Sequence, residues 1–167
     1  NLKTKANYKN GDREGFTIRY YDNGQLEGKS YFVHDKPFGH AYFYHDNGQL
    51  ETYNCFDFEG HPCYVRKYSK EGSVVKDEGT VLSQLYITNG DSLVLMFGNC
   101  SPPNTIIDAM GIIYQGNSIQ EKKISLGKRT GELIVQLGID KVVFIGKLID
   151  SLTNKVIIQD SLFYNGS

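Results

Sequence analysis

A period of 24 residues runs through the first half of this chain: Tyr20-Tyr21-Asp22-Asn23-Gly24-Gln25-Leu26-Glu27 returns as Tyr44-His45-Asp46-Asn47-Gly48-Gln49-Leu50-Glu51. It returns again, altered, as Tyr68-Ser69-Lys70-Glu71-Gly72-Ser73-Val74-Val75. Glycine falls at 24, 48 and 72, and tyrosine at 20, 44 and 68. A fixed period of this length implies stacked supersecondary units, each burying its apolar face against its neighbours. Arrays of that kind present an extended surface rather than a closed catalytic pocket.

Aromatic and alternating stretches between turn residues make the first half read as a β-meander. Strands are expected near 16–21, 26–33, 39–45, 49–56 and 63–68. Asp22-Asn23-Gly24 and Asp46-Asn47-Gly48 are expected to close tight hairpins as type I′ turns, in which both central residues take positive φ. A looser second set lies at Asn10-Gly11-Asp12, Asp35-Lys36-Pro37 and Phe58-Glu59-Gly60. Gly15 and Gly39 also match, with Cys63 in the third copy; a glycine inside a strand marks a bulge or a close backbone approach. The rings keep the phase: Tyr8, Phe32 and Phe56 align, as do Phe16, His40 and Tyr64. They form either the core of a thin sheet poor in aliphatics or an exposed binding strip.

Composition changes near Gly79-Thr80. Residues 1–79 hold 15 of the 21 Phe and Tyr but 8 Ile, Leu and Val, whereas residues 80–167 hold 6 and 29. Two kinds of core imply two domains, 1–79 and 80–167, joined by the short polar stretch Lys76-Asp77-Glu78-Gly79. The second half also reads as β, with strands near 81–87, 92–98, 105–114, 118–125, 131–137, 141–150 and 155–164. Short strands with regular turns suggest a β-sandwich. Val142-Val143-Phe144-Ile145 is apolar on both faces, as in a central strand or one whose outer face is covered.

The unit Tyr-x-x-Asn-Gly-x-Leu, best seen from Gly39 to Glu51, resembles the MORN-type repeat in the variant form common in bacterial proteins. The resemblance covers roughly residues 8–79. It implies stacked β-hairpins in an elongated twisted sheet, acting as a scaffold or interaction surface without common catalytic residues. Some relatives carry an antitoxin label, which implies a partner-binding role.

Other chemistry finds little footing. The net charge is −1, and residues 1–79 balance 11 Lys and Arg against 12 Asp and Glu, so the basic groove of a nucleic-acid binder is not expected. No apolar run approaches the roughly 18 residues that span a bilayer. The chain opens at Asn1 without Met, so a mature or trimmed form is expected, with any export signal already removed. Of Cys55, Cys63 and Cys100, the first two could form a cross-strand disulfide; the alternative is three thiols. His34, His40, His45 and His61 invite a metal reading, but none recurs at its repeat-equivalent position and no short ligand motif is present. His61 and Cys63 share a strand face without any oxyanion-hole signal. The acids sit mostly in turns, where turn chemistry explains them.

The expectation is an all-β, non-catalytic protein: a stacked β-hairpin repeat sheet followed by a β-sandwich-like domain, with neither cofactor nor metal. Tyr21, His40, Tyr42 and His45 are the expected contact residues for a protein partner. The alternatives are a carbohydrate or cell-envelope binding module stacking sugars on exposed rings, an antitoxin-like partner-binding protein, and an enzyme with a concave acidic or histidine-lined pocket. An exported or envelope setting is expected, with a cytoplasmic one as the alternative.

Overall fold

A computed structural model describes residues 3–80, 82–89, 93–124, 130–135 and 138–165. The chain divides into two compact units, Asn1–Gly79 and Thr80–Ser167. Both are built from strands, with no helix among the described residues.

The first unit is one antiparallel sheet. Its strands are β1 (Thr4–Lys9), β2 (Asp12–Tyr20), β3 (Leu26–Val33), the short β4 (Lys36–Pro37), β5 (Gly39–Tyr44), β6 (Leu50–Phe56), β7 (Pro62–Tyr68) and β8 (Val74–Gly79). They lie in chain order, β4 pairing with β3 off the main path. β1, β4 and β8 were not among the expected strands. The polar stretch read as a junction, 76–79, belongs to β8: Lys76 pairs with Lys67 and Gly79 with Tyr64.

The turns reverse the sequence expectation. Neither Asn23 nor Asn47 takes positive φ; among the non-glycine residues that do are Asn10 at 53°, His34 at 47° and Asp35 at 63°. The two-residue turns of type I′ character are therefore Asn10-Gly11, closed by the pair Lys9 and Asp12, and His34-Asp35, closed by Val33 and Lys36. The Asp-Asn-Gly turns instead follow the type I pattern, ending on a glycine of positive φ. Gly24 N–H donates to the Tyr21 carbonyl at 2.9 Å, with φ of 85° at Gly24. Gly48 N–H donates likewise to His45, and Gly72 N–H to Ser69. Asn23 and Asn47 serve through their side chains: Oδ1 accepts from Gln25 N–H at 2.9 Å and from Gln49 N–H at 3.0 Å. The stretch Asp57-Phe58-Glu59-Gly60, expected to be loose, follows the same pattern, with Gly60 N–H on the Asp57 carbonyl.

Each of the three repeat turns is followed by a bulge. Arg19 pairs with Gly28 but Tyr20 with Leu26, leaving Glu27 extra. Glu51 and Val75 are extra in the same way, one and two periods later. A glycine of positive φ plus one surplus residue is the signature of a turn closed by a bulge, and it raises the local twist.

The second unit holds two sheets. One has β9 (Leu82–Asn89), β10 (Leu93–Asn99) and β13 (Thr130–Val135) in the order β13-β10-β9. The other has β11 (Thr105–Gln115), β12 (Ser118–Lys123), β14 (Lys141–Asp150) and β15 (Val156–Asn165) in the order β12-β11-β14-β15. Each of the seven expected strands has a counterpart among the described residues, with the expected positions 81, 92, 125 and 136–137 lying outside them, and the doubly apolar Val142–Ile145 lies in β14, inside the second sheet. The sheets face one another through Leu82, Leu133, Val142, Phe144 and Leu148, all buried. They approach closely at two glycines: a Cβ on Gly111 would sit 2.7 Å from Leu133, and one on Gly146 2.6 Å from Leu82.

Two glycines of the first unit allow a graded test. Gly48→Ala adds a Cβ into open space at φ of 84° and is expected to cost about 1 kcal/mol. Gly79→Ala, at φ of 110°, sets its Cβ 2.2 Å from the Cys63 carbonyl oxygen and is expected to cost more than about 3 kcal/mol. Urea unfolding of the two variants should reproduce that order.

Candidate functional site

Paired residues of an antiparallel sheet share a face, so the strand registers sort the side chains of the first unit into two sets. One face carries Ile18, Lys29, Tyr42, Tyr53, Arg66 and Asp77 as a row from strand to strand. Here Tyr53 and Tyr64 are fully buried and Arg66 nearly so. The rings of Tyr42 and Tyr64 pack edge-on against Tyr53, with centroids 5.5 and 6.1 Å away. Arg66 meets Asp77 through two bonds, Nε to Oδ1 at 2.7 Å and Nη2 to Oδ2 at 3.1 Å, and the Tyr64 hydroxyl also donates to Oδ1. This fork pairs a buried cation with its counter-ion. Burial, and then the bond to Asp77, push the Tyr64 phenol far above its ordinary range; burial also raises Tyr68.

The opposite face carries a second row: Thr4, Arg19, Gly28, Phe43, Thr52, Lys67 and Lys76. Around its centre lies an open cavity of about 400 Å³, lined by Arg19, Phe43, Thr52, Lys67, Asn54 and Val65, with Tyr21, Glu27 and Glu51 at its turn end. Arg19, Phe43 and Lys67 are one period apart, as are Glu27 and Glu51. The repeat thus supplies a fixed grid, and different side chains occupy equivalent points on it. Arg19 Nη2 pairs with Glu27 at 2.8 Å. Phe43 leans over Gly28, where a Cβ would meet its ring at 2.8 Å. The site is therefore a shallow depression in which Phe43 and Val65 sit among polar side chains and charges of both signs.

The four expected contact residues fall in two places. His40 and Tyr42 lie on the aromatic face, where His40 Nδ1 shares a hydrogen bond of 2.6 Å with the Tyr53 hydroxyl. Tyr21 and His45, one period apart, sit at the turn end and tie one repeat to the next. The Tyr21 hydroxyl donates to the Tyr44 carbonyl at 2.6 Å, and His45 Nε2 to the Tyr68 carbonyl at 3.1 Å. Since a carbonyl only accepts, Nε2 carries the proton. Tyr21 alone of the four borders the cavity. Burial, then the charges of Glu51, Glu27 and Asp46, hold its phenol above the ordinary value. Asn47 and Lys70 reinforce the second tie, through Asn47 Nδ2 on the Lys70 carbonyl at 3.1 Å and Lys70 Nζ on Asp46 at 2.8 Å.

Arg19, Phe43, Lys67, Glu27 and Glu51 were not among the contact residues expected from the sequence, which were aromatics and histidines of the best repeats. Positions 19, 43 and 67 change residue type from copy to copy, whereas Glu27 recurs as Glu51. The remaining polar candidates have partners too. His34 faces Asp12 at 3.5 Å, and His61 faces Asp57 at 3.5 Å and Glu59 at 3.7 Å. Cys63 is a thiol whose Sγ donates to the Cys55 carbonyl at 3.2 Å, so the expected alternative of a Cys55–Cys63 bridge is set aside. Cys63 is the surplus residue of the bulge between β6 and β7, and that placement directs its sulfur to the backbone. Comparison with protein-family models, curated proteins and solved structures returns no match. The likeness to MORN-type repeats rests on the repeat residues alone.

Two predictions follow from the ties and the raised phenols. Tyr21→Phe removes the bond to Tyr44 and is expected to destabilise the protein by about 1 kcal/mol in chemical unfolding. A phenol raised in the folded state holds its proton there while the unfolded chain releases it. Its stabilisation is therefore complete below the ordinary value of 10.0 and fades as pH climbs through the folded value. Stability measured from pH 8 to 11 should fall above about 10, and less steeply in Tyr64→Phe.

Proposed function

We propose that the first unit is a non-catalytic, MORN-like protein-binding surface whose contact face is the row through Arg19, Phe43 and Lys67. The observation that carries this reading is the grid itself. Five adjacent strands, from β2 to β7 by way of β3, β5 and β6, hold a floor of constant geometry, while the repeat-equivalent positions 19, 43 and 67 carry Arg, Phe and Lys. A scaffold that fixes the backbone and varies the side chain suits recognition. The mixed charges of Arg19, Glu27, Glu51 and Lys67 around an aromatic centre fit a folded partner with a complementary mosaic better than a uniformly charged polymer. A polyanion such as nucleic acid would meet Glu27 and Glu51 unfavourably.

The carbohydrate reading draws less support. Sugar stacking asks for a row of exposed rings on one face. The exposed rings of this unit are Tyr8 on the cavity face, Phe16 on the aromatic face and Phe58 in a turn.

The test uses the intact chain as bait in native extract fractionated into cytoplasm and envelope. A protein should be retained, and retention should drop about tenfold in the variant Arg19→Glu/Lys67→Glu, a loss of about 1.4 kcal/mol. Gly28→Ala, which pushes the Phe43 ring outward, should weaken it as well. Glycan retained without protein would favour the carbohydrate reading. Retention indifferent to these substitutions would remove the contact face from consideration.

A further inference from the structure

The edge of the repeat sheet at β1 is built to accept one more strand. Among the described residues β1 pairs with β2 alone. Its repeat-equivalent strands β3 and β6, at 24 and 48 residues' distance, each have strands on both sides. The Tyr20 N–H donates to the Lys3 carbonyl at 2.9 Å, and Thr4, Lys5 and Ala6 pair with Arg19, Ile18 and Thr17. Because backbone groups alternate in direction along an antiparallel strand, Lys3 and Lys5 turn theirs toward β2 while Thr4 and Ala6 turn theirs outward. The Lys9–Asp12 pair closing the Asn10-Gly11 turn puts Tyr8 in the outward set. Thr4, Ala6 and Tyr8 correspond one period on to Gly28, Ser30 and Phe32; the Tyr31 carbonyl accepts from Phe38 N–H at 2.8 Å, away from β2, so by alternation those three turn their backbone groups toward β2.

The side chains on this edge choose the occupant. Residues 3–9 contain Lys3, Lys5 and Lys9 and no acid. All but Ala6 are exposed. A second copy of β1 is disfavoured on register grounds. Three antiparallel registers bond two or more of Thr4, Ala6 and Tyr8 to their counterparts. They set Lys5 against Lys5, Lys3 against Lys9, or Lys5 against Lys9, and like charges directly opposite one another destabilise a strand pair. The same lysines protect the edge against neutral or apolar strands. They leave one class of strand that gains from both the backbone and the charges: an extended segment with carboxylates at alternate positions, facing Lys5 and Lys9.

We infer that β1 is a strand-addition site for an acidic, extended peptide segment of a partner, held by the outward backbone groups of Thr4, Ala6 and Tyr8 and selected by Lys5 and Lys9. No residue of β1 lines the cavity, and the bonding groups are backbone atoms at the sheet edge, so the inference stands or falls independently of the contact face proposed above.

The test is fluorescence anisotropy on the intact chain, with fluorescein-labelled octapeptides of alternating Glu-Thr or Lys-Thr as probes. The Glu-Thr peptide should bind about tenfold more tightly than Lys-Thr, with an affinity that falls as salt rises. Ala6→Pro removes one outward N–H and leaves the β1–β2 bonds in place, so it should abolish binding at an unchanged urea midpoint. A Glu-Thr peptide N-methylated at each Thr gives the same answer with the protein untouched: it should not bind. Lys5→Glu/Lys9→Glu should reverse the preference, and Lys67→Glu should leave it as it was. Equal binding of both peptides, binding that survives N-methylation, or self-association of the chain through β1 in place of peptide binding would each overturn the inference.

Discussion

The repeat half depends on a backbone corner: a glycine of positive φ closing a four-residue turn, with a surplus residue just beyond it on the returning strand. A β-strand has a side-chain period of two, so a slip of one residue would exchange its faces. The corner forbids the slip. Gly24, Gly48 and Gly72 take a conformation costly for any residue with a Cβ, and each corner ejects one residue, Glu27, Glu51 or Val75, from the ladder. With register pinned at the same place in every period, the next paired position is pinned as well. That is why Arg19, Phe43 and Lys67 fall on one line, and why Glu27 and Glu51 fall on another beside it.

The two faces of the sheet differ in how far their side chains are committed to the fold. The aromatic face is closed by rings and by the Arg66–Asp77–Tyr64 group. A buried cation without its carboxylate would be costly, so each member of this group holds the others in place. His40 and Tyr42 belong to that structure, which leaves them little freedom to act as contacts. Tyr21 and His45 are committed differently, each satisfying the carbonyl of the last strand residue before the next turn, Tyr44 or Tyr68. The cavity face has fewer internal obligations. Arg19 and Glu27 meet each other at an exposed pair that adds little to stability, and such groups can be varied at small cost to the fold.

Much of the architecture was legible because it is periodic. The 24-residue spacing, the strand positions around it and the change of core at residue 79 are compositional facts that folding does not rearrange. The turn types were misread for a physical reason. Asn-Gly favours a type I′ turn when it forms the whole two-residue loop, but here Asp22 and Asp46 lengthen the loop by one, and Asn23 and Asn47 stay at negative φ as side-chain acceptors. The I′ geometry went to Asn10-Gly11 and to His34-Asp35. The latter is a poor local choice, made tenable by Arg13, which bonds Asp35 Oδ1 from its N–H at 3.0 Å and from Nε at 2.8 Å. That support comes from 22 residues away and has no local signature.

The site was less legible than the fold, because the conspicuous residues were those already used by the scaffold. A repeated residue in an array marks what every unit needs: a corner, a tie, a ring in the core. Recognition needs what the units do not share. In this sheet that inversion has a concrete form. Positions 19, 43 and 67 have equivalent backbone pairing and point to one face, Arg19 and Lys67 exposed and Phe43 half-buried, yet carry a guanidinium, a phenyl ring and an ammonium group. Ile18, Tyr42 and Arg66 vary as widely on the closed face, but there Tyr42 packs on Tyr53 and Arg66 is bound to Asp77. Variation at equivalent positions therefore singles out a candidate row only together with exposure, which Arg19 and Lys67 have and Arg66 lacks.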